Sequence, residues 1–188
     1  MNGIRTSHDV FTGGDSIKHF GTVSAETHHR FWAHRVLWNA DPDVMLARDV
    51  AGASPGTPRA VCLSAALSGG ALFSGDPLAD LTEDRLALLR EMLAVSRPAP
   101  PLPLDLFERE QPRLLAQALG RGRFRLGLFN HEHVARVVPL ELDRLGLARA
   151  RVSILAEGKA SRPVTVNRRY LPPAVPAHGA LLILVERV

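Results

Sequence analysis

The segment Arg97-Pro98-Ala99-Pro100-Pro101-Leu102-Pro103 divides the chain. Four of its seven residues are prolines, each lacking an amide donor and fixing φ, so the stretch suits neither a helix nor a central strand. It reads as a linker over residues 96–103, and the periodicity of the sequence differs on its two sides. Beyond it the period is two: Phe124, Leu126 and Leu128 alternate with Arg123, Arg125 and Gly127. Val152 and Ile154, Val164 and Val166, and Leu181 to Val185 form further runs. Turn signals at Gly120-Arg121-Gly122, Asn130-His131, Leu145-Gly146 and Pro172-Pro173 separate them. Residues 104–188 are therefore expected to form an antiparallel β-sandwich.

Residues 1–95 read as α/β. Ser24 is placed to cap a helix of about a dozen residues, with Glu26 in the first turn and Ala25, His29, Trp32 and Val36 on one face. A second helix begins near Thr82, with Glu83 and Asp84 facing the helix dipole and Leu86, Leu89 and Leu93 as its buried stripe. Val44-Met45-Leu46 and Ala71-Leu72-Phe73 are short apolar runs bounded by turn residues, as in buried parallel strands. The resulting order is strand, helix, strand, helix, strand, helix.

With 188 residues, 46% of them hydrophobic and 22% charged, the chain has the composition of a globular protein. Its longest apolar runs fall far short of the roughly 20 residues that cross a bilayer, and its start lacks the blocks of a signal peptide, so a cytoplasmic location is expected. The single cysteine, Cys62, lies in an apolar run and reads as packing. Although the net charge is +4, only Lys18 and Lys159 among the 23 basic residues are lysines, and the arginines are scattered beside acids. A basic face with interleaved aromatics is missing, which excludes nucleic acid as the expected partner.

The chemistry concentrates near the start. Arg5-Thr6-Ser7-His8-Asp9 sets an arginine four residues before a carboxylate, and Trp38-Asn39-Ala40-Asp41-Pro42-Asp43 adds an acidic pair between an aromatic residue and an apolar run. Arg5 and Asp9 could be an ordinary surface ion pair, and Asp-Pro a plain turn starter. If Ile4 ends a strand, however, the following turn lifts Asp9 toward a cleft, where a carboxyl serves as general acid/base and an arginine binds substrate hydroxyls. The histidines compete as a metal site: His28, His29 and His34 fall within one expected helix, and His131 and His133 could share a strand face. His29 and His34 are five apart rather than four, with no third ligand near in sequence, so no metal or cofactor is expected. No Gly-x-Ser-x-Gly elbow occurs, and Gly69-Gly70 lacks the Lys-Ser/Thr of a phosphate loop.

In this order, these segments resemble the alpha-galactosidase (melibiase) families of glycoside hydrolases. The resemblance runs through Arg5 to Asp9, Trp38 to Asp43 and Leu67-Ser68-Gly69-Gly70-Ala71-Leu72-Phe73-Ser74-Gly75-Asp76. It continues into Gly127-Leu128-Phe129-Asn130 and Leu145-Gly146-Leu147. Two departures stand out: Ala40 interrupts the usual Asn-Asp-Pro-Asp box, and Gly13-Gly14-Asp15 replaces an aromatic residue. The resemblance implies the last strand-helix units of a (β/α)8 barrel followed by a β-sandwich. It implies retaining hydrolysis of alpha-linked galactosides, with Asp9 as acid/base, Arg5 and Asp43 as sugar ligands, and Trp38 and His8 lining the pocket.

The family's nucleophile belongs to an earlier strand, and retaining hydrolysis needs two carboxyl groups about 5–5.5 Å apart. A whole barrel takes about 250 residues. The chain is thus expected to be a C-terminal part, inactive alone, whose partners are a carbohydrate and either the missing half of the barrel or a second copy. The alternative is a non-catalytic carbohydrate-binding or structural sandwich module.

Overall fold

The computed structural model of the protein describes residues 2–10, 16–50 and 52–188, with side chains in the first helix described from Phe20 onward. Its first half contains β1 (Gly3–Arg5), α1 (Ser16–His29), a 3-10 turn (Phe31–Ala33), β2 (Asn39–Asp41), β3 (Val44–Met45), α2 (Thr57–Leu67), β4 (Phe73–Ser74) and α3 (Glu83–Val95). Strand β1 pairs in parallel with β2, and β3 in parallel with β4. Pro42 lies between β2 and β3 and has no amide donor to continue the ladder. Each parallel pair encloses a helix, as parallel connections require.

The second half contains β5 (Leu102–Pro103), β6 (Leu114–Gly120), β7 (Arg123–Phe129), β8 (Leu140–Glu141), β9 (Arg149–Ala156), β10 (Lys159–Ala160), β11 (Val164–Asn167), β12 (Arg169–Tyr170) and β13 (Ala180–Arg187). Seven of these strands form one antiparallel sheet ordered β10-β9-β13-β7-β6-β5, with β11 also on β9. The pair β8–β12 forms a separate small sheet. Of the proline-rich segment, Leu102 and Pro103 form the edge strand, where a missing N–H is tolerated.

Both faces of the large sheet are buried. Leu114, Leu126, Leu128, Val152, Ile183 and Val185 pack with Leu140, Leu142 and Tyr170 on one side. On the other, Leu115, Phe129 and Leu182 join Leu63, Leu67, Met92 and Phe20 of the helices. One cluster of apolar side chains therefore crosses the proline-rich segment. Helix α2 is the pivot, touching α1, α3, β3, β7 and β13. Gly127 makes its approach possible, because a Cβ there would lie 2.6 Å from Leu67 Cδ1. Gln117 donates to the carbonyls of Leu67 at 2.9 Å and Ala99 at 3.0 Å, satisfying the C-terminal end of α2.

Three local expectations are corrected. The first helix ends at His29, so Ser24 is internal rather than a cap, and Trp32 and Val36 are exposed. Its buried side chains are Phe20, Val23, Ser24, Ala25, Thr27 and His28, half of them polar. In α3 the buried residues are Leu89, Glu91, Met92 and Val95, whereas Leu93 is exposed. Helix α2 itself carries no periodic signal, because every residue in it except Arg59 is buried.

Candidate functional site

The parallel register of β1 and β2 sets Arg5 opposite Asp41 at the C-terminal ends of both strands. The chain after β1 is pinned there, with Thr6 donating to the Asp41 carbonyl from its amide at 2.9 Å and its hydroxyl at 3.0 Å. Beyond Pro42, Asp43 takes a left-handed conformation, φ 71°, and its amide donates to Asp41 Oδ1 at 3.0 Å. This local turn is one that aspartate favours.

Arg5 joins three carboxylates. Its Nη1 lies 2.9 Å from Asp9 Oδ1, its Nη2 3.0 Å from Asp43 Oδ1 and its Nε 3.5 Å from Asp41 Oδ2. The three acids outnumber the guanidinium, leaving the group acidic. The side chains differ sharply in access: Asp9 is 70% exposed and Arg5 43%, but Asp43 only 8%. The other Asp43 oxygen, Oδ2, accepts the Val10 amide at 2.7 Å. Val10 is buried in the core, so the loop carrying Asp9 is anchored on both sides.

His8 turns toward α1. Its ring Nδ1 is 2.7 Å from Glu26 Oε1, and its amide donates to Glu26 Oε2 at 2.9 Å. Burial works to raise the Glu26 carboxyl. The hydrogen bonds from His8, with the charges of His8 and Arg30, outweigh it and hold the group below its ordinary value. Arg5, Thr6, Ser7, His8, Glu26 and Arg30 enclose an open cavity of about 240 Å³. Asp9 is not among its lining residues.

Arg5, Asp9 and Asp43 are thus brought together, with His8 beside them. Trp38 is not. It bridges to His34 at the start of β2, about 10 Å along the strand from Asp41. Its ring lies 6.5 Å from that of Trp32, at the opposite end of the strand from the carboxylates. The substitution-marked Gly13-Gly14-Asp15 lies outside the described residues.

Two acids escaped the sequence reading. Asp41, quoted but given no role, ties Arg5 to the Asp43 turn. Asp76, after β4, is buried and accepts the Ala47 amide at 2.6 Å and Arg48 at 3.0 Å. Their shared signal is an aspartate just beyond a short apolar run. Close packing of β2 with the segment before β4 depends on Gly70, where a Cβ would meet the Ala40 carbonyl oxygen at 2.2 Å.

The histidines are dispersed. Buried His28 sits 2.9 Å from Ser64 Oγ, and burial, with smaller effects of His131 and His29, pushes it down to about 3. His34 Nδ1 accepts the Ala40 amide at 3.0 Å. His131 meets the Pro112 carbonyl, and His133 pairs with His178 at 3.0 Å. Among the described residues, no group of three or more His, Cys, Asp or Glu side chains is placed to hold a metal ion. Cys62 is buried, and burial above all pushes its thiol up to about 12, which makes it a poor nucleophile. No described helix is long and apolar enough to cross a membrane.

No family model matches the chain, and no curated protein matches it by sequence. Solved structures do match its fold. Alpha-galactosidase I from Mortierella vinacea superposes with a TM-score of 0.76 at 16% identity, over 99% of this chain and 53% of that one. A GH27 beta-L-arabinopyranosidase from Geobacillus stearothermophilus gives 0.77 at 17% identity, over 100% and 45%. The alpha-galactosidase from Saccharomyces cerevisiae gives 0.76 at 12% identity, over 100% and 60%. At these identities the likeness is one of fold, and the chain spans about half the length of the structures it matches.

Proposed function

We propose that the chain is the C-terminal part of a retaining glycoside hydrolase of the alpha-galactosidase type, made of the last strand-helix units of a (β/α)8 barrel and a β-sandwich. The observation that carries the reading is Arg5 at the end of a parallel strand, gripping Asp9, Asp41 and Asp43 at the edge where barrel enzymes build their active sites. The matching fold of two alpha-galactosidases supports it.

Asp9 is the general acid/base. Its exposure leaves it free to reach a glycosidic oxygen, and Arg5 is placed to donate both to Asp9 and to a sugar hydroxyl. His8, also exposed, stands beside the site. The nucleophile is a carboxylate on a further parallel strand-helix segment, in the same polypeptide or another, which covers the edge of β1 that no described strand pairs with. The remaining acids of the cluster are both held by Arg5. The working compartment is the cytoplasm.

The test is complementation. The 188-residue chain alone should hydrolyse aryl alpha-galactosides no faster than buffer, and joining it to a strand-helix half that bears a carboxylate should produce turnover that Asp9→Asn removes. Turnover by the chain alone would contradict the need for a second half. Galactose binding without turnover in the completed protein would favour a carbohydrate-binding module.

A further inference from the structure

Both oxygens of the Asp43 carboxylate are engaged within the protein. Its side chain is 8% exposed, and each oxygen already has a partner, Oδ1 the Arg5 guanidinium at 3.0 Å and Oδ2 the Val10 amide at 2.7 Å. Those partners flank Asp9 in sequence and hold it in space: Arg5 contacts its carboxylate, and Val10 is the next residue.

We infer that Asp43 is a positioning residue, whose buried carboxylate clamps Arg5 and the main chain after Asp9 so that the acid/base is held in place. The inference rests on reading Asp9 as the acid/base, and it takes Asp43 out of the set of sugar ligands. Asp41 supports the clamp from behind. One of its oxygens accepts the Asp43 amide, holding the left-handed turn, and the other faces Arg5 Nε. The loop from Thr6 to Val10 is pinned at its start by the Asp41 carbonyl and at its end by the Asp43 carboxylate. Asp9 lies between the two pins. An acid/base must stay within about 3 Å of its partner atom, and a side chain on an exposed loop is poorly suited to that without such anchoring.

The clamp also divides the charge of Arg5. With Asp43 ionised, the guanidinium serves two carboxylates at about 3 Å and a third slightly farther away.

NMR on the 188-residue chain tests this without any need for turnover. The Val10 amide proton should stand downfield in the unaltered chain and move upfield in Asp43→Asn, where a neutral amide replaces the carboxylate it donates to. The backbone order parameter of Asp9 should fall in the same variant as its loop loosens. Asp41→Asn, which keeps an oxygen for the turn, should leave the Val10 amide downfield. A Val10 amide unmoved in a folded Asp43→Asn chain would overturn the inference, as would an unchanged Asp9 order parameter. Adding D-galactose to the chain completed by its strand-helix half separates the inference from the reading beneath it. Shifts at Arg5 and Asp9 with Asp43 unmoved support both; shifts centred on Asp43 overturn the inference alone. An intact clamp with no response to galactose supports positioning but counts against the glycosidase.

Discussion

Acidification from pH 7 to 5 should weaken the fold, most strongly through one side chain, His28. Its ring is buried between α1 and α2 beside Ser64, and burial above all holds it at about 3, against an ordinary value of 6.5. The unfolded chain takes up a proton as pH falls through 6.5, but the folded one does not until about 3. Between these values the unfolded state binds more protons, so this contribution is complete above 6.5 and is lost downward by about 1.4 kcal/mol per pH unit. At pH 5, roughly 1.5 units below the unfolded value, the loss is about 2 kcal/mol, a substantial part of a typical 5–15 kcal/mol. Urea unfolding at both pH values reads it directly, comparing the unaltered chain with His28→Gln, whose amide can still meet Ser64. His34, His131 and His178, also held low chiefly by burial, titrate in both proteins and cancel in the comparison. The unaltered chain should lose about 2 kcal/mol more than the variant. Equal losses would refute a neutral buried His28.

Gly127→Ala should destabilise by about 1–3 kcal/mol, because the new Cβ would lie 2.6 Å from Leu67 Cδ1 and from Phe129 Cε2; thermal unfolding measures it. Glu91→Gln should cost roughly 3 kcal/mol in urea unfolding, since buried Glu91 holds Arg59 through both oxygens at 2.8 and 2.9 Å and also accepts the Glu157 amide at 3.2 Å. Asp9→Asn, at an exposed ion pair, should change unfolding free energy by no more than about 1 kcal/mol, so that any effect on activity is one of chemistry.

What could be read in the sequence depended on how polar the buried positions are. The alternating runs at Phe124 to Leu128 and Leu181 to Val185 are strands of the large sheet, and Gly120-Arg121-Gly122 is the left-handed turn between β6 and β7. The helix starting after Thr82 was legible from its acidic first turn. In contrast, α1 buries Ser24, Thr27 and His28, whose hydrogen-bonded side chains carry no hydrophobic period, and of the apolar-spaced face Ala25, His29, Trp32 and Val36 only Ala25 is buried. Helix α2 is buried at every residue but Arg59 and is equally silent. At the site, the spacing of Arg5 and Asp9 and the Asp41-Pro42-Asp43 turn were visible as motifs. Their meeting depends on the β1–β2 register, and the engagement of both Asp43 oxygens is a matter of three-dimensional placement. Trp38 belongs to the same motif but lies at the other end of β2, because a strand separates what a sequence box joins.

As the proposed acid/base, Asp9 would protonate a departing glycosidic oxygen and then deprotonate water. The most direct measurement compares leaving groups in the completed enzyme carrying Asp9→Ala. Because good leaving groups need little protonation, hydrolysis of alkyl alpha-galactosides should fall far more than that of nitrophenyl alpha-galactosides, and azide should restore the second step. Equal loss on both substrates, with no response to azide, would make Asp9 a structural carboxylate and contradict the account.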